Sequence, residues 1–527
     1  VSDSPTPKII VLFSWHSQKN IALIEPLLRY LSDNCGHQVH VVTSDATGKI
    51  GLLKQGFRAY TVNELLVHYP TENVVEDTVP DGDHTPIDLS LNWLYTPTDP
   101  PQLPHPKRDQ SIGYYHWKRS QLISAYRGFL NDLGANAVMT WNGALLVTGA
   151  LADAAKELGL ESFYLERGLL PRSLVFDPCG VNNESSLAGE GWLSNAPREP
   201  DEAEVNALKA YCKTIKTTGQ SIVNTASQRQ AESVYTELDL DPRRPVVLLP
   251  LQIESDSNII NNSPFFKSME RLIQDVRETL SDSDAQLIVR PHPEDRLRRD
   301  TIEALCEGPD VRCCWDLSLS SLLDVTQLVV VINSTVGLEA LMQNIPVVAL
   351  GRSIYDRKGF TLDLTEATAL PPLIHRGLQS PLEPHAHFGF WHFLFTLITQ
   401  SSFFFEDSRL PDGRESLNQT LANLPKRTPS NSHSLSPSVQ MAETNDILKM
   451  LITGTSQDQS LVIGSLDTVF DELPEGVSVL SKRSAFTRLV ASLLRRHDYV
   501  IWMEIPSNRL LRVLYILLRG DRKLVIG

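Results

Sequence analysis

The sequence predicts an α/β protein made of two Rossmann-like, doubly wound units with an additional C-terminal α/β segment. Three observations carry this. Apolar runs at 8–15, 246–251, 285–289 and 328–332 have the length and β-branched content of fully buried strands. Segments of helical periodicity separate such runs, and strand–helix–strand alternation at this spacing calls for parallel sheets with right-handed crossovers. The alternation recurs on both sides of a break near residue 235.

In chain order, 8–15 reads as a strand, 21–34 as a helix and 38–43 as a strand. The stretch 69–110 is rich in Pro, Asp and Thr with weak periodicity, the signature of a surface insertion. A helix over 114–133, a strand over 137–141, a turn at Asn142-Gly143, a helix over 144–158 and a strand over 162–165 complete the first unit, 1–235. The second, 236–423, opens at Arg244-Pro245. It predicts strand 246–251, helix 264–280, strand 285–289, helix 296–306, a short strand near Val311, helix 320–324, strand 328–332, helix 335–343 and strand 346–350. The aromatic-rich run 388–405 is broken by His392, Gln400 and serines, so it predicts a packed helix and not a membrane span. Residues 424–445 have linker composition. In 446–527, strands are expected at 460–463, 499–504 and 523–526, with helices at 484–495 and 508–518. Two doubly wound units facing across a cleft make the GT-B arrangement, which glycosyltransferases share with several epimerases; fold alone leaves function open.

A chain of 527 residues exceeds a single core. Hydrophobic content of 42% and charged content of 21% fit a globular enzyme, and a net charge of -15 argues against a general nucleic-acid binder. The cysteines Cys35, Cys179, Cys212, Cys306, Cys313 and Cys314 form no CxxC pair and predict reduced thiols in a cytoplasmic protein. The chain opens on Val1, as a processed or excised portion would.

Open α/β sheets bind ligands beyond the carboxyl ends of their strands. Three chemistry-bearing segments fall there: 249–258, Arg290-Pro291-His292-Pro293 and Asn333-Ser334-Thr335. Ser334 and Thr335 offer hydroxyls at a helix start that suits phosphate, or an ordinary N-cap. Flanking prolines fix where His292 points; its imidazole can bond a phosphate leaving group, or be a satisfied core histidine. Glu254 and Asp256 lie two apart on a loop, so one can face a sugar while the other binds protein, unless both are simply solvated. A carboxylate near an anomeric carbon stabilises or attacks an oxocarbenium-like centre. Glu166, closing a first-unit strand, suits acid/base work on an acceptor hydroxyl, or is neutralised by Arg167. Together these suit a transferase handling a sugar on a nucleoside monophosphate.

The ordered set Trp141-Asn142-Gly143, Glu166-Arg167-Gly168-Leu169-Leu170-Pro171, Asp177-Pro178-Cys179-Gly180-Val181-Asn182, 250–258, Arg290-Pro291-His292-Pro293, Asn333-Ser334-Thr335-Val336-Gly337-Leu338-Glu339 and Gly351-Arg352-Ser353-Ile354-Tyr355-Asp356 resembles the bacterial capsule polysaccharide synthesis family. That family contains retaining β-Kdo transferases of capsule and O-antigen lipopolysaccharide assembly. His-Pro followed by Ser-Thr is also similar to the motifs of bacterial sialyltransferases, which use CMP-activated sugars. The resemblance spans about 8–400 and does not reach the C-terminal segment.

It implies a CMP-β-Kdo donor, a GT-B-like fold, no metal or other cofactor, and net retention through a covalent sugar–enzyme intermediate. Carried onto this sequence, Asp256 is the nucleophile, preferred over Glu254 because Ser257-Asn258 follows it. Glu166 is the acid/base partner, and His292, Ser334 and Thr335 take the CMP phosphate. Asn142, Arg167, Gln252, Glu254, Asn258 and Asn333 are further substrate-binding candidates, with Arg290 and Arg352 added on charge alone. The expected partners are CMP-Kdo and a saccharide or glycolipid acceptor. The expected location is the cytoplasm, with peripheral contact to the inner membrane or an assembly complex left open by the basic, leucine-rich 508–519. Rival readings are a nucleotide-sugar 2-epimerase and a non-catalytic sugar-nucleotide-binding module. His385, His387 and His392 lack a completing ligand set for a metal, and Thr47-Gly48-Lys49 lacks the rest of a phosphate loop.

Overall fold

The structure is a computed structural model that describes residues 7–14, 18–44, 46–69, 105–218, 233–254, 256–293, 295, 298–380, 383–405, 410–425, 427 and four C-terminal strands. The chain divides into two compact units, Val1–Ser162 with Leu424–Gly527, and Phe163–Asn423.

The first unit runs β1 (Ile9–Ser14), α1 (Gln18–Arg29), β2 (Gln38–Thr43), α2 (Ala46–Lys54), β3 (Arg58–Thr61), α3 (Val62–His68), α4 (His105–Leu133), β4 (Ala137–Trp141) and α5 (Leu146–Glu157). Its strands lie in the order β4-β1-β2-β3, all parallel. Val11, Phe13, Val42 and Val138 share one core with Tyr126 and Phe129 of α4 and Ala150 and Leu151 of α5. Leu424, Pro425 and Arg427 strap onto this unit: Lys8 Nζ donates to Leu424 O at 2.5 Å, Asn136 Nδ2 to Pro425 O at 2.8 Å, and Arg427 Nη1 to Leu158 O at 3.1 Å. The helix expected over 114–133 starts nine residues earlier, at His105. Pro106, which signalled loop in the sequence, sits in the first turn, where a missing N–H costs nothing. Residues 70–104 of the expected insertion lie outside the described residues. Thr47-Gly48-Lys49 lies within α2, and buried Lys49 pairs with Glu64 at 2.5 Å.

The second unit runs β5 (Glu161–Arg167), β6 (Ser173–Asp177), α6 (Glu202–Thr218), α7 (Val234–Glu237), β7 (Val246–Pro250), α8 (Ser257–Asn262), α9 (Met269–Leu280), β8 (Gln286–Arg290), α10 (Arg299–Leu305), β9 (Val311–Cys313), α11 (Leu319–Leu323), β10 (Leu328–Val331), α12 (Val336–Met342), β11 (Val347–Ala349), β12 (Leu362–Asp363), α13 (Leu370–Gln379), α14 (Pro384–Ser401), β13 (Ser402–Phe404) and α15 (Arg414–Ala422). Six strands form a parallel sheet in the order β12-β11-β10-β7-β8-β9. Successive strand residues point to opposite faces. Val246, Leu248, Ile288, Val329 and Val331 accordingly join one core with α11, α12 and α14. Val247, Leu249, Leu287, Val289 and Val330 join another with α9 and α13. Burial on both faces explains why these strands read as unbroken apolar runs. β6 pairs antiparallel with both β5 and β13, at one end of the seven-stranded sheet order β13-β6-β5-β4-β1-β2-β3.

Three features differ from the sequence reading. The helix expected over 264–280 begins only at Met269, as α9 capped by Ser268, and a short extra helix, α8, capped by Asp256, stands where a loop was expected. The expected helix at 296–306 begins only at Arg299. The compact units part at 162/163 and 423/424, not near 235. The reason is packing: Leu169, Leu170, Val175, Trp192 and Val205 share a core with Val246, Leu248, Phe390 and Phe393. The packed helix expected over 388–405 is α14, with Phe390, Phe393, Leu394 and Leu397 fully buried, but it ends at Ser401 and the last residues of that run form β13. Among the described residues, no helix is long and apolar enough to cross a membrane.

The C-terminal strands β14 (Ser460–Ile463), β15 (Val477–Leu480), β16 (Tyr499–Trp502) and β17 (Leu524–Ile526) form a parallel sheet in the order β15-β14-β16-β17. The helices expected at 484–495 and 508–518, and most of the linker, lie outside the described residues.

Candidate functional site

β10, β7 and β8 are neighbours in the six-stranded sheet, with Val329 paired to Leu248 and Pro250 to Arg290. Parallel pairing brings their carboxyl ends to one edge, so the segments that follow them emerge side by side. Hydrogen bonds join two of these segments. Gln252 Nε2 donates to Asn333 Oδ1 at 2.8 Å, Asn333 N–H donates to Gln252 Oε1 at 3.2 Å, and Asn333 Nδ2 donates to Asn258 O at 2.9 Å. These three candidates therefore clamp the post-β7 loop to the post-β10 loop.

Glu254 and Asp256 are used differently. Glu254 Oε1 accepts the N–H of Met269 at 2.7 Å, at the start of α9, and pairs with Arg298 Nη1 at 2.5 Å. Arg298 also pairs with Asp295, and its guanidinium is pushed further up by these carboxylates. Glu254 thus ties the post-β7 loop to the segment after His292. Asp256 is exposed at the N-cap of α8, where Oδ1 accepts the N–H of Asn258 at 2.8 Å.

Arg290 ends β8 and is 8% exposed, with Nε and Nη2 buried and unpaired. Burial pulls its guanidinium down, partly offset by Cys314 and Glu339. His292 is partly exposed, and its carbonyl accepts Asp295 N–H at 2.9 Å. Across from β8, Glu339 on α12 is pushed up to about 7 by burial, with Arg290 pulling the other way. Thr335 is the N-cap of α12 but makes no side-chain capping bond, while Ser334 Oγ accepts Val336 N–H at 3.3 Å. The plain N-cap reading therefore fits Ser334 only weakly and Thr335 not at all. With seven residues, α12 supplies little dipole at its start.

The segment after β11 packs against these loops. Gly351 is closely approached: a Cβ there would lie 2.7 Å from Asn262 O. Arg352 N–H donates to Asn262 O at 2.7 Å, and the Arg352 guanidinium pairs with buried Asp356 at 3.2 Å, so this candidate already has a carboxylate partner. Lys358 Nζ donates to Gly189 O at 2.7 Å and stands 5.1 Å from the Phe393 ring; burial pulls it down to about 8.

Glu166 and Arg167 end β5 on the antiparallel ladder, where Glu166 Oε1 accepts Arg167 N–H at 2.8 Å. Following β6, the fully buried carboxylate of Asp177 accepts from Cys179 N, Gly180 N, Ser185 Oγ, and Ser186 N and Oγ, knotting the 178–186 loop. Asn142 belongs to the first unit, at φ 45°, where its Oδ1 accepts Ala144 N–H at 2.8 Å. His387 accepts from Trp391 Nε1 at 2.9 Å and His392 bonds Arg198 O at 3.2 Å. Among the described residues no group of three His, Cys, Asp or Glu side chains could hold a metal.

Residues that the sequence reading left unassigned here are Arg298, Glu339, Tyr355 and Lys358. The motif strings contained Glu339 and Tyr355, and only their partners in space give them roles.

Residues 198–370 match the model of a family described as capsule polysaccharide biosynthesis protein. That span includes Gln252 to Asn258, Arg290 to His292, Asn333 to Thr335 and Arg352, and leaves out Asn142, Glu166 and Arg167. Protein FixF of Sinorhizobium fredii is 28% identical over 43% of this chain and 50% of its own. The capsule polysaccharide export protein KpsS of Escherichia coli is 34% identical over 23% of this chain and 33% of its own. The chain thus spans half or less of the length of these curated relatives. Among solved structures, the β-Kdo 2,7 transferase of Thermosulfurimonas dismutans KpsC is 18% identical, covering 55% of this chain and 84% of that one, with a TM-score of 0.34.

Proposed function

We propose, on the match of residues 198–370 to the capsule polysaccharide biosynthesis family model, that this chain is a glycosyltransferase of bacterial surface-polysaccharide assembly, transferring Kdo from CMP-β-Kdo to a saccharide acceptor with retention. The donor choice rests on the ordered motif set of the sequence. One observation carries the mechanism: Glu254 is consumed by Met269 N–H and Arg298, whereas Asp256 is exposed and, among the described residues, has only Oδ1 engaged.

Asp256 Oδ2 attacks the anomeric carbon, the bond from that carbon to the phosphate oxygen breaks, and CMP leaves carrying the electron pair. His292, Ser334 and Thr335 offset the phosphate charge by hydrogen bonding. A single phosphate needs fewer countercharges than a diphosphate. Glu166 then accepts the proton of an acceptor hydroxyl, whose oxygen displaces Asp256 and restores the original anomeric configuration. The Gln252–Asn333–Asn258 clamp holds the nucleophile's loop against the phosphate segment.

The test is incubation of the full chain with CMP-Kdo and a saccharide acceptor. CMP release with a new β-linkage is expected. Interconversion of UDP-linked amino sugars instead would make it an epimerase, and binding without turnover a silent module. Asp256→Asn should lower transfer by roughly 10³-fold or more while CMP still binds. Normal turnover by that variant would remove the covalent mechanism.

A further inference from the structure

The segment between β11 and β12 braces three others. Arg352 N–H holds Asn262 O at the end of the helix that Asp256 caps, Lys358 Nζ holds Gly189 O, and the Tyr355 hydroxyl donates to Ser334 O at 2.5 Å. Of these, Tyr355 alone touches the candidate phosphate segment. Its side chain is 1% exposed. Gly337 makes the recess that admits it: a Cβ at that position would lie 2.6 Å from the Tyr355 hydroxyl and 2.8 Å from its Cζ. Burial pushes the phenol well above its ordinary range, so it remains a donor throughout the physiological range. The Ser334 carbonyl also accepts Gly337 N–H at 3.0 Å. Both lone pairs of that oxygen are therefore taken, one by backbone and one by a buried side chain. The Ser334–Thr335 peptide plane is pinned, and with it the directions of both hydroxyls.

We propose that Tyr355 is a positioning residue for donor phosphate: its hydroxyl orients the Ser334-Thr335 peptide without touching the donor. This rests on the reading that Ser334 and Thr335 receive the phosphate. Removing the hydroxyl frees one side of the peptide and leaves the ring packing intact. The loss should appear only where phosphate is bound.

The experiment compares CMP with cytidine, by calorimetric titration of the full chain, for wild type and Tyr355→Phe. The variant should bind CMP roughly 5- to 10-fold more weakly, bind cytidine within about 2-fold of wild type, and raise the donor KM more than it lowers kcat. Equal weakening of CMP and cytidine, or unchanged CMP affinity, overturns the proposal. Gly337→Ala, which drives a methyl into the hydroxyl, should show the same phosphate-selective loss. It decides the matter if Tyr355→Phe does not fold, and failure of both variants to fold assigns Tyr355 to the core alone. If wild type binds UMP and not CMP, the CMP donor assignment falls while the same selective loss is expected for UMP against uridine. Wild type binding neither monophosphate overturns both.

Discussion

A carboxylate two residues from another can have the opposite occupation. Glu254 joins a helix start to Arg298, and Glu254→Gln keeps the bond to Met269 N–H while breaking the ion pair. With both partners partly exposed, the expected cost is about 1 kcal/mol, read as a small drop in melting temperature with transfer largely retained. Glu339 gives a pH signature. Its folded value of about 7 lies above the ordinary 4.5, so the folded state holds the proton more tightly than the unfolded chain. That stability is fully present below pH 4.5 and is lost as pH rises through 7. Glu339→Gln, which keeps a neutral side chain at every pH, should match wild type near pH 5. Near pH 8 it should be the more stable, by on the order of 3 kcal/mol. Paired melting curves at the two pH values check this; a difference independent of pH would show that Glu339 is not titrating.

Turns and caps decide where elements end, and they divide what the sequence revealed from what it hid. β7, β8 and β10 were legible because burial on both faces makes a strand uniformly apolar. The loop motifs after them were legible by position, and the structure does bring Gln252, Asn258 and Asn333 together. The start of α9 reads five residues early because Ser268 looks like any polar helix residue until its side chain accepts from Arg271 N–H. The antiparallel ladder hid because β6 pairs with β13 from far along the chain, a contact without a local signature. Nothing local, equally, marks Asp177 as the centre of a five-donor knot. Asp177→Asn replaces an acceptor with an N–H₂ facing donors, so it should destabilise by roughly 3 kcal/mol; thermal unfolding measures it, and an unchanged midpoint would mean the loop holds itself.

Over the whole molecule, protection should follow the cores. Native-state hydrogen exchange is expected to be slowest in β7, β8 and β10, whose residues are all buried, and faster in α8, which has six residues and an exposed cap. The reverse order would place the stable core elsewhere. The strap formed by Leu424, Pro425 and Arg427 has a consequence for biosynthesis. Lys8, Asn136 and Leu158 wait for partners at Leu424, Pro425 and Arg427, which leave the ribosome only after all of 163–423 has been translated. The unit begun first is thus finished last, and a nascent chain halted before Leu424 carries one unit whole and the other still unfastened.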